Sequence, residues 1–252
     1  MSDLGAVVAL TKRDLLRFSR DRSQLWGTVG RPAIWMLLFG SGLRRSVGGS
    51  LGPGIDYRQF TYAGAIAMTI LFGGMFHGIT IVWDREFGML RSVLVAPVSR
   101  AAIVGGKTCA GAAVTFIQAV VAAAFAPLVG VHLGVGSALM LGVAMAVMSL
   151  GVTGVGVALG SRMQTFEGFG VVSNFVVLPL YFLSGGVFPP DGLPPWMRAL
   201  VVVNPVTYGV DWMRAAIGQP HVFNAGVDAL ATCGFAAAAG VAASLAFRRT
   251  AH

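Results

Sequence analysis

Long stretches of apolar residues, separated by short charged segments, organise this chain. No Asp, Glu, Lys or Arg occurs in the 54 residues between Lys107 and Arg162. Charge-free windows of 25, 23 and 19 residues follow Arg58, Glu167 and Asp228. A helix needs roughly 20 apolar residues to cross a bilayer. Each window reaches about that length, and the first holds two crossings that divide near Pro127 to Gly136. Inside hydrocarbon a helix satisfies its own backbone polar groups, so helices are the expected element. A transmembrane barrel would alternate apolar and polar positions over segments of about 10 residues, and no such alternation is present. The expected spans are about 24–43, 58–83, 102–126, 137–160, 168–188 and 226–247.

The first expected span, Ser23 to Leu43, is the least clean, because Arg31 and Pro32 interrupt it. Arg31 either snorkels to headgroups or marks a helix start with Pro32 at the first helical position. Ahead of it, residues 1–22 carry Leu4, Val7, Val8, Leu15 and Phe18 at helical spacing, interleaved with Lys12, Arg13, Arg17, Arg20 and Arg22. That pattern suits an amphipathic helix lying in the headgroup plane, or simply a basic flank before a span. It has no apolar core of the kind a cleaved signal peptide needs.

Composition agrees with this reading. Only 11% of the residues are charged and 56% are hydrophobic, against about 25% charged in a soluble domain. The mean hydropathy is +0.76. The net charge of +8 would raise nucleic acid as a partner in a soluble protein. Here the basic residues flank apolar spans, so anionic headgroups are the expected partner and nucleic acid is not. With six spans both termini share a side. That side collects 13 of the 18 basic residues, the other side Arg44, Arg45, Arg58, Arg198 and Arg214. The positive-inside rule then makes both termini cytoplasmic.

Chemistry is sparse. Cys109 and Cys233 show neither metal nor disulfide spacing and read as packing residues. The four histidines are scattered. His77 falls inside the second span, where a polar residue is either functional or bonded to a neighbouring helix. No carboxylate falls mid-span, which counts against a proton- or sodium-coupled carrier. Gly105, Gly106, Lys107 and Thr108 look like the end of a phosphate-binding loop, but the required glycine is replaced by Ala101. No catalytic, metal or cofactor site is therefore expected. Gly74 with Gly78, and Gly156 with Gly160, have the spacing of close helix contacts. They form either a dimer face or packing inside one bundle.

Two segments stand out. From Asp84 to Lys107 the chain reads "DREFGMLRSVLVAPVSRAAIVGGK". Phe87, Leu90, Val93 and Leu94 recur at roughly helical spacing, Pro97 ends that piece, and Ser99 caps the next helix. It is a short amphipathic handle for a partner, with Glu86 and Arg91 outward and Phe87 and Leu90 inward, or a solvated loop on lipid. From Leu183 to Arg214 the chain reads "LSGGVFPPDGLPPWMRALVVVNPVTYGVDWMR". Gly185 and Gly186, followed by Pro189 and Pro190, break the fifth span. Asn204 with Pro205 marks a helix start. Trp196, Tyr208 and Trp212 suit an aromatic belt. The pieces 193–203 and 205–217 are too short to cross, so 189–217 is a re-entrant outer hairpin or an interfacial loop.

At these two segments the chain resembles the ABC-2 type permeases, the membrane subunits of ATP-driven exporters. The likeness runs over the whole length, through "REFGMLRSVLVAPVSR…GGK" and "LSGGVFPPDGLPPW…VNPVTYGVDWMR". Drug, glycolipid and nodulation-factor exporters are similar, as are permeases linked to bacterial alcohol oxidation. The resemblance implies an all-α polytopic membrane domain over 1–252. It has six transmembrane helices, an N-terminal interfacial helix, a cytoplasmic coupling helix in 84–100 and an outer hairpin. Glu86, Gly88, Arg91 and Pro97 fall at positions of the coupling helix that docks on an ATPase. Pro189, Pro190, Asn204, Pro205 and Tyr208 fall in the outer lid. The implied partners are two ATPase subunits, which carry the ATP and Mg, and a second permease copy or close paralogue. The implied location is the bacterial inner membrane. The competing class is an ion-coupled carrier or a membrane assembly factor that transports nothing.

Overall fold

The computed structural model of the chain describes residues 3–42, 57–87, 99–189 and 193–249. Among these every regular element is a helix. In chain order they are α1 (Asp3–Arg20), α2 (Arg22–Gly42), α3 (Tyr57–His77), α4 (Ile79–Glu86) and α5 (Arg100–Ala123). Then come α6 (Val135–Arg162), α7 (Phe166–Phe182), α8 (Pro195–Val203), α9 (Pro205–Ala216) and α10 (Ala225–Arg249). Among the described residues four stretches are long and apolar enough to cross a membrane: Tyr57–Glu86, Ala101–Ala123, Val135–Arg162 and Ala225–Phe247. At 1.5 Å per residue α6 extends about 42 Å, more than the roughly 30 Å of a hydrocarbon core. The apolar α7 is shorter, at 17 residues. α2 continues through Pro32, so the helix-start reading of Pro32 does not hold. Pro32 instead leaves the carbonyl of Thr28 without its usual helical donor.

Pairing along the helices gives their directions. Gly74 and Gly78 of α3 and its junction lie against Val152, Thr153 and Gly156 of α6, so these helices run the same way. Gly151 and Gly154 meet Phe235 and Ala239, so α10 runs with them. α5 runs opposite, since Tyr62 reaches Ala123 while His77 reaches Gly111. The bundle therefore has a basal end, with Asp3, Glu86, Ser99 and Arg162, and a hairpin end, with Tyr57, Ala123, Val135, α8 and α9.

The two glycine pairs face each other inside one chain. A methyl group at Gly78 would run into the Gly156 carbonyl, and one at Gly160 into the Gly78 carbonyl. Small residues here let two backbones touch, which is how helices associate where no hydrophobic driving force separates protein from lipid. This is packing within the bundle. At the same point the helix tightens: Gly78 N donates to Met75 O and Ile81 N to Gly78 O, both at 3.1 Å. That i to i+3 pattern separates α3 from α4.

The core lies between α3, α6 and α9, around Tyr62, Ile66, Ile70, Met148 and Met213. Outward faces are apolar instead. Val171 and Phe175 of α7 and Leu230 and Val241 of α10 are exposed, as a lipid-facing surface requires. Cys109 and Cys233 are free and also exposed, rather than packed inside.

α1 lies along α5, with Val7 and Leu10 against Gly106. Its inward stripe is Val7, Leu10, Asp14 and Phe18, whereas Leu4, Val8 and Leu16 remain exposed.

Candidate functional site: a basal polar cluster and a hairpin clasp

At the basal end, α4 ends in Trp83, Asp84, Arg85 and Glu86. Alternation along this turn splits their roles. Asp84 is buried and forms a 2.6 Å ion pair with Lys107 of α5, also buried. A charge pair this close, with both partners out of water, holds two helices in one register, and loss of either partner strands the other. Lys107 thus lies within a helix and is engaged by a carboxylate, so no phosphate loop exists at Gly105 to Thr108. Arg85 donates to Ser161 O at 2.8 Å and Met163 O at 2.6 Å. Those carbonyls are left open by the end of α6, where a cation is favoured by the helix dipole.

One turn further into the bundle, His77 Nε2 lies 3.6 Å from Asp14 Oδ2. This is an ion-pair distance when the ring is protonated, but long for a hydrogen bond. Asp14 Oδ1 accepts from Arg13 Nε at 3.0 Å. Burial works to raise the Asp14 carboxyl. His77, Lys107 and Arg13 outweigh it and hold it at about 2. Asp3 accepts from Ser99 N and Oγ at 3.1 and 2.8 Å, and Ser99 Oγ in turn caps α5 through Ala102 N.

Below this cluster a platform is left exposed. Phe87 is 63% exposed and Trp83 42%. Their rings lie 5.1 Å apart, with Phe166 and the Arg17 guanidinium also on Trp83. Glu86 is exposed as well. Phe87 was expected to pack inward and does not, because the inward positions of α4 are taken by Ile81, Val82 and Asp84. Gly88, Leu90, Arg91 and Pro97 lie outside the described residues.

At the hairpin end, α9 reads the open end of α7. Asn204 Nδ2 donates to Leu180 O at 2.8 Å and Arg214 Nη2 to Gly185 O at 2.6 Å, while Thr207 Oγ1 donates to Val201 O at 2.7 Å with Leu183 O a longer contact at 3.3 Å. Asn204 Oδ1 accepts from Val206 N at 3.0 Å, with Pro205 at the first helical position. Asn204 is thus a cap for α9 and a donor to α7. Gly185 has φ +72°, a left-handed turn that glycine adopts without strain. Gly186 is wedged against Gly64, where a methyl group would strike the Gly186 carbonyl. Arg214 is buried with its guanidinium 3.9 Å from the Phe60 ring centroid. Burial draws its pKa down to about 10, against the neighbouring Asp211 carboxylate. Asp211 accepts from Val222 N and Phe223 N.

The aromatic residues of this segment divide. Trp196 is 65% exposed and Tyr208 donates to Val202 O. Trp212 is buried in the core, not in a surface belt. α9 as a whole is a core element, because Val206, Val210 and Met213 pack on the bundle. Pro189 is half-buried, while Pro190 lies outside the described residues.

Sequence reasoning passed over Asp14, Lys107, Asp84 and Arg214 as site residues. Asp14 had a signal: it falls four residues after Leu10 and four before Phe18, on the inward stripe of α1. Asp84 and Lys107 bound two charge-free windows, but nothing along the chain pairs them.

The profile described as "ABC-2 type transporter" matches residues 5–217, from α1 to the end of α9. The inner membrane transport permease YadH of Escherichia coli K12 is 28% identical over 216 residues, covering 83% of this chain and 81% of that protein. The putative transport permease ycf38 of Cyanophora paradoxa is 27% identical over 207 residues, covering 81% and 71%. Nodulation protein J of Rhizobium leguminosarum bv. viciae is 26% identical over 227 residues, covering 84% and 83%. Taken with the apolar helices, these matches make the chain a multi-pass membrane protein that belongs to the ABC-2 type transporter family of transport permeases.

Proposed function

We propose that this permease is the membrane subunit of an ATP-binding cassette exporter. It moves an amphipathic or lipid-like molecule outward on ATP hydrolysed by a separate ATPase. The observation that carries this reading is the basal platform. Glu86 and Phe87 stand exposed on a stem whose other residues are fastened to α5 and α6 by Asp84 and Arg85. A rigid stem under an exposed aromatic and carboxylate transmits a push, whereas a loose loop absorbs it. The platform would seat in the ATPase. Two ATPase copies would bind ATP and Mg beneath two permeases, identical or paralogous. The four long apolar stretches, together with α2 and α7, would make six crossings of the bacterial inner membrane, with both termini cytoplasmic. The α8–α9 hairpin would cover the outer exit.

The test is affinity purification of the tagged full chain from its own membranes, followed by reconstitution. An ATPase should co-purify, and Phe87→Ala and Glu86→Ala should each lower its recovery and its stimulation by the permease. Recovery of the folded permease with no ATPase, and transport insensitive to ATP, would overturn the reading.

A further inference from the structure

A cavity of about 400 Å³ opens in the basal half of the bundle, between α2, α3, α4 and α5. Its size falls in the range of small-molecule pockets. It is a partly open cleft rather than a sealed void, so a molecule can reach it from outside the bundle. Its walls differ in chemistry. Phe72 and Phe76 stack at 6.1 Å between ring centroids and form an aromatic side. Gln24, Thr28 and Gln118 supply amide and hydroxyl groups opposite. At the basal wall the buried Thr80 Oγ1 has no hydrogen-bond partner among the described residues. The His77 ring lies between the cavity and Asp14. Among the described residues no Asp, Glu, Lys or Arg lines the space.

We propose that this cavity is a binding site within a single permease chain for an uncharged amphiphile. Its hydrogen-bonding headgroup would meet Gln118 and Gln24, and its apolar part Phe72 and Phe76. Amides and hydroxyls both donate and accept, so they match an uncharged polar head. Among the described side chains of the lining an anionic head would meet neither lysine nor arginine. Gly73 leaves room for the Gln118 amide beside it, since a methyl group at that position would push Gln118 Oε1 away. The site rests on the export reading for its purpose, but its occupancy does not depend on an ATPase.

The experiment uses the full chain in phosphatidylcholine nanodiscs with a dodecyl glucoside that bears a diazirine beside its headgroup. Illumination should label peptides spanning 69–80 and 114–118. Gln118→Leu should reduce that labelling at least fivefold with an unchanged melting curve. The same diazirine on dodecyl phosphate should label the peptides at least fivefold less. Should Gln118→Leu fail to fold, Gln24→Leu changes the same cavity from α2, and Gly73→Ala displaces the amide without removing it. Labelling spread over exposed Val171 and Phe175, indifferent to these substitutions, would overturn the site. So would equal labelling by the two headgroups. Loss of the site with ATPase recovery intact leaves the export reading standing. Labelling intact with no ATPase recovered leaves the site standing without it.

Discussion

At the basal end of the bundle charge meets charge: Asp84 with Lys107, and Asp14 with Arg13. At the hairpin end side chains meet backbone: Asn204 and Arg214 donate to carbonyls of α7 and the turn after it. Both arrangements join distant helices, yet they respond differently to change. An ion pair is a contract between two side chains, and removing one leaves a buried charge with nothing opposite. A carbonyl clasp loses one hydrogen bond at a time, and its acceptors are dipoles rather than ions. The basal end is therefore the stiffer joint and the hairpin end the more graded one.

The sharpest way to break the comparison is at Lys107. Lys107→Met should cost about 3–5 kcal/mol, as truncating one member of a buried pair does. The double change Asp84→Leu with Lys107→Met should regain most of it. Unfolding of the full chain in detergent, followed by circular dichroism, measures both. If single and double variants lose equal stability, Asp84 and Lys107 are not coupled and the basal end is no stiffer than the other.

The hairpin clasp should give a smaller, divisible loss. Asn204→Ala removes the α9 cap and the donor to Leu180, and about 2 kcal/mol is expected from the two together. Asn204→Asp keeps an acceptor for Val206 N but not the donor, so it isolates the second bond. Equal losses for the two variants would show that the cap contributes nothing.

A pH series sharpens the basal side further. The Asp14 carboxyl lies below its ordinary 3.8, at about 2 in the fold. A carboxylate that is easier to ionise when folded stabilises the fold above its unfolded value. That contribution is present above about pH 4 and disappears as pH falls toward 2. Asp14→Asn should flatten this acid limb of the stability curve, while Asn204→Ala leaves its shape unchanged. An unaltered limb in the Asp14 variant would remove Asp14 from the cluster.

Phe87→Ala should have the smallest effect on the fold. The ring is mostly exposed, and exposed substitutions away from special features stay within about 0.5 kcal/mol. Its melting curve should match that of the parent even as ATPase recovery drops. A large loss of stability would mean that Phe87 is part of the Trp83 packing and not a free contact.

Helix positions were readable because the signal is local. A window without charge over about 20 residues can satisfy itself only as a helix in lipid. The four long apolar helices among the described residues start and end within a few residues of the expected spans, as α6 at Val135–Arg162 does against 137–160. The caps at Ser99 and Asn204 were equally plain, since a side-chain oxygen reaches a backbone N–H two or three residues on. Gly185 also declared itself, as a glycine breaking a span.

Only the tertiary structure decided what depends on distance along the chain. Asp84 and Lys107 stand on different helices, α4 and α5, and Asn204 reaches Leu180 across the α7–α8 connection. No periodicity pairs such residues, because periodicity reports the face a residue occupies and not what stands opposite. The glycine pairs carried spacing for close contact but could not say with which helix. The fold matched them to each other between α3 and α6. The inward turn of Trp212 and the outward turn of Phe87 were settled in the same way, by which helix faces were already occupied. Hydropathy along this chain determines where it crosses and roughly where each helix stops. Which polar groups end up together is set by packing, because burial makes each of them seek a partner that only the assembled bundle supplies.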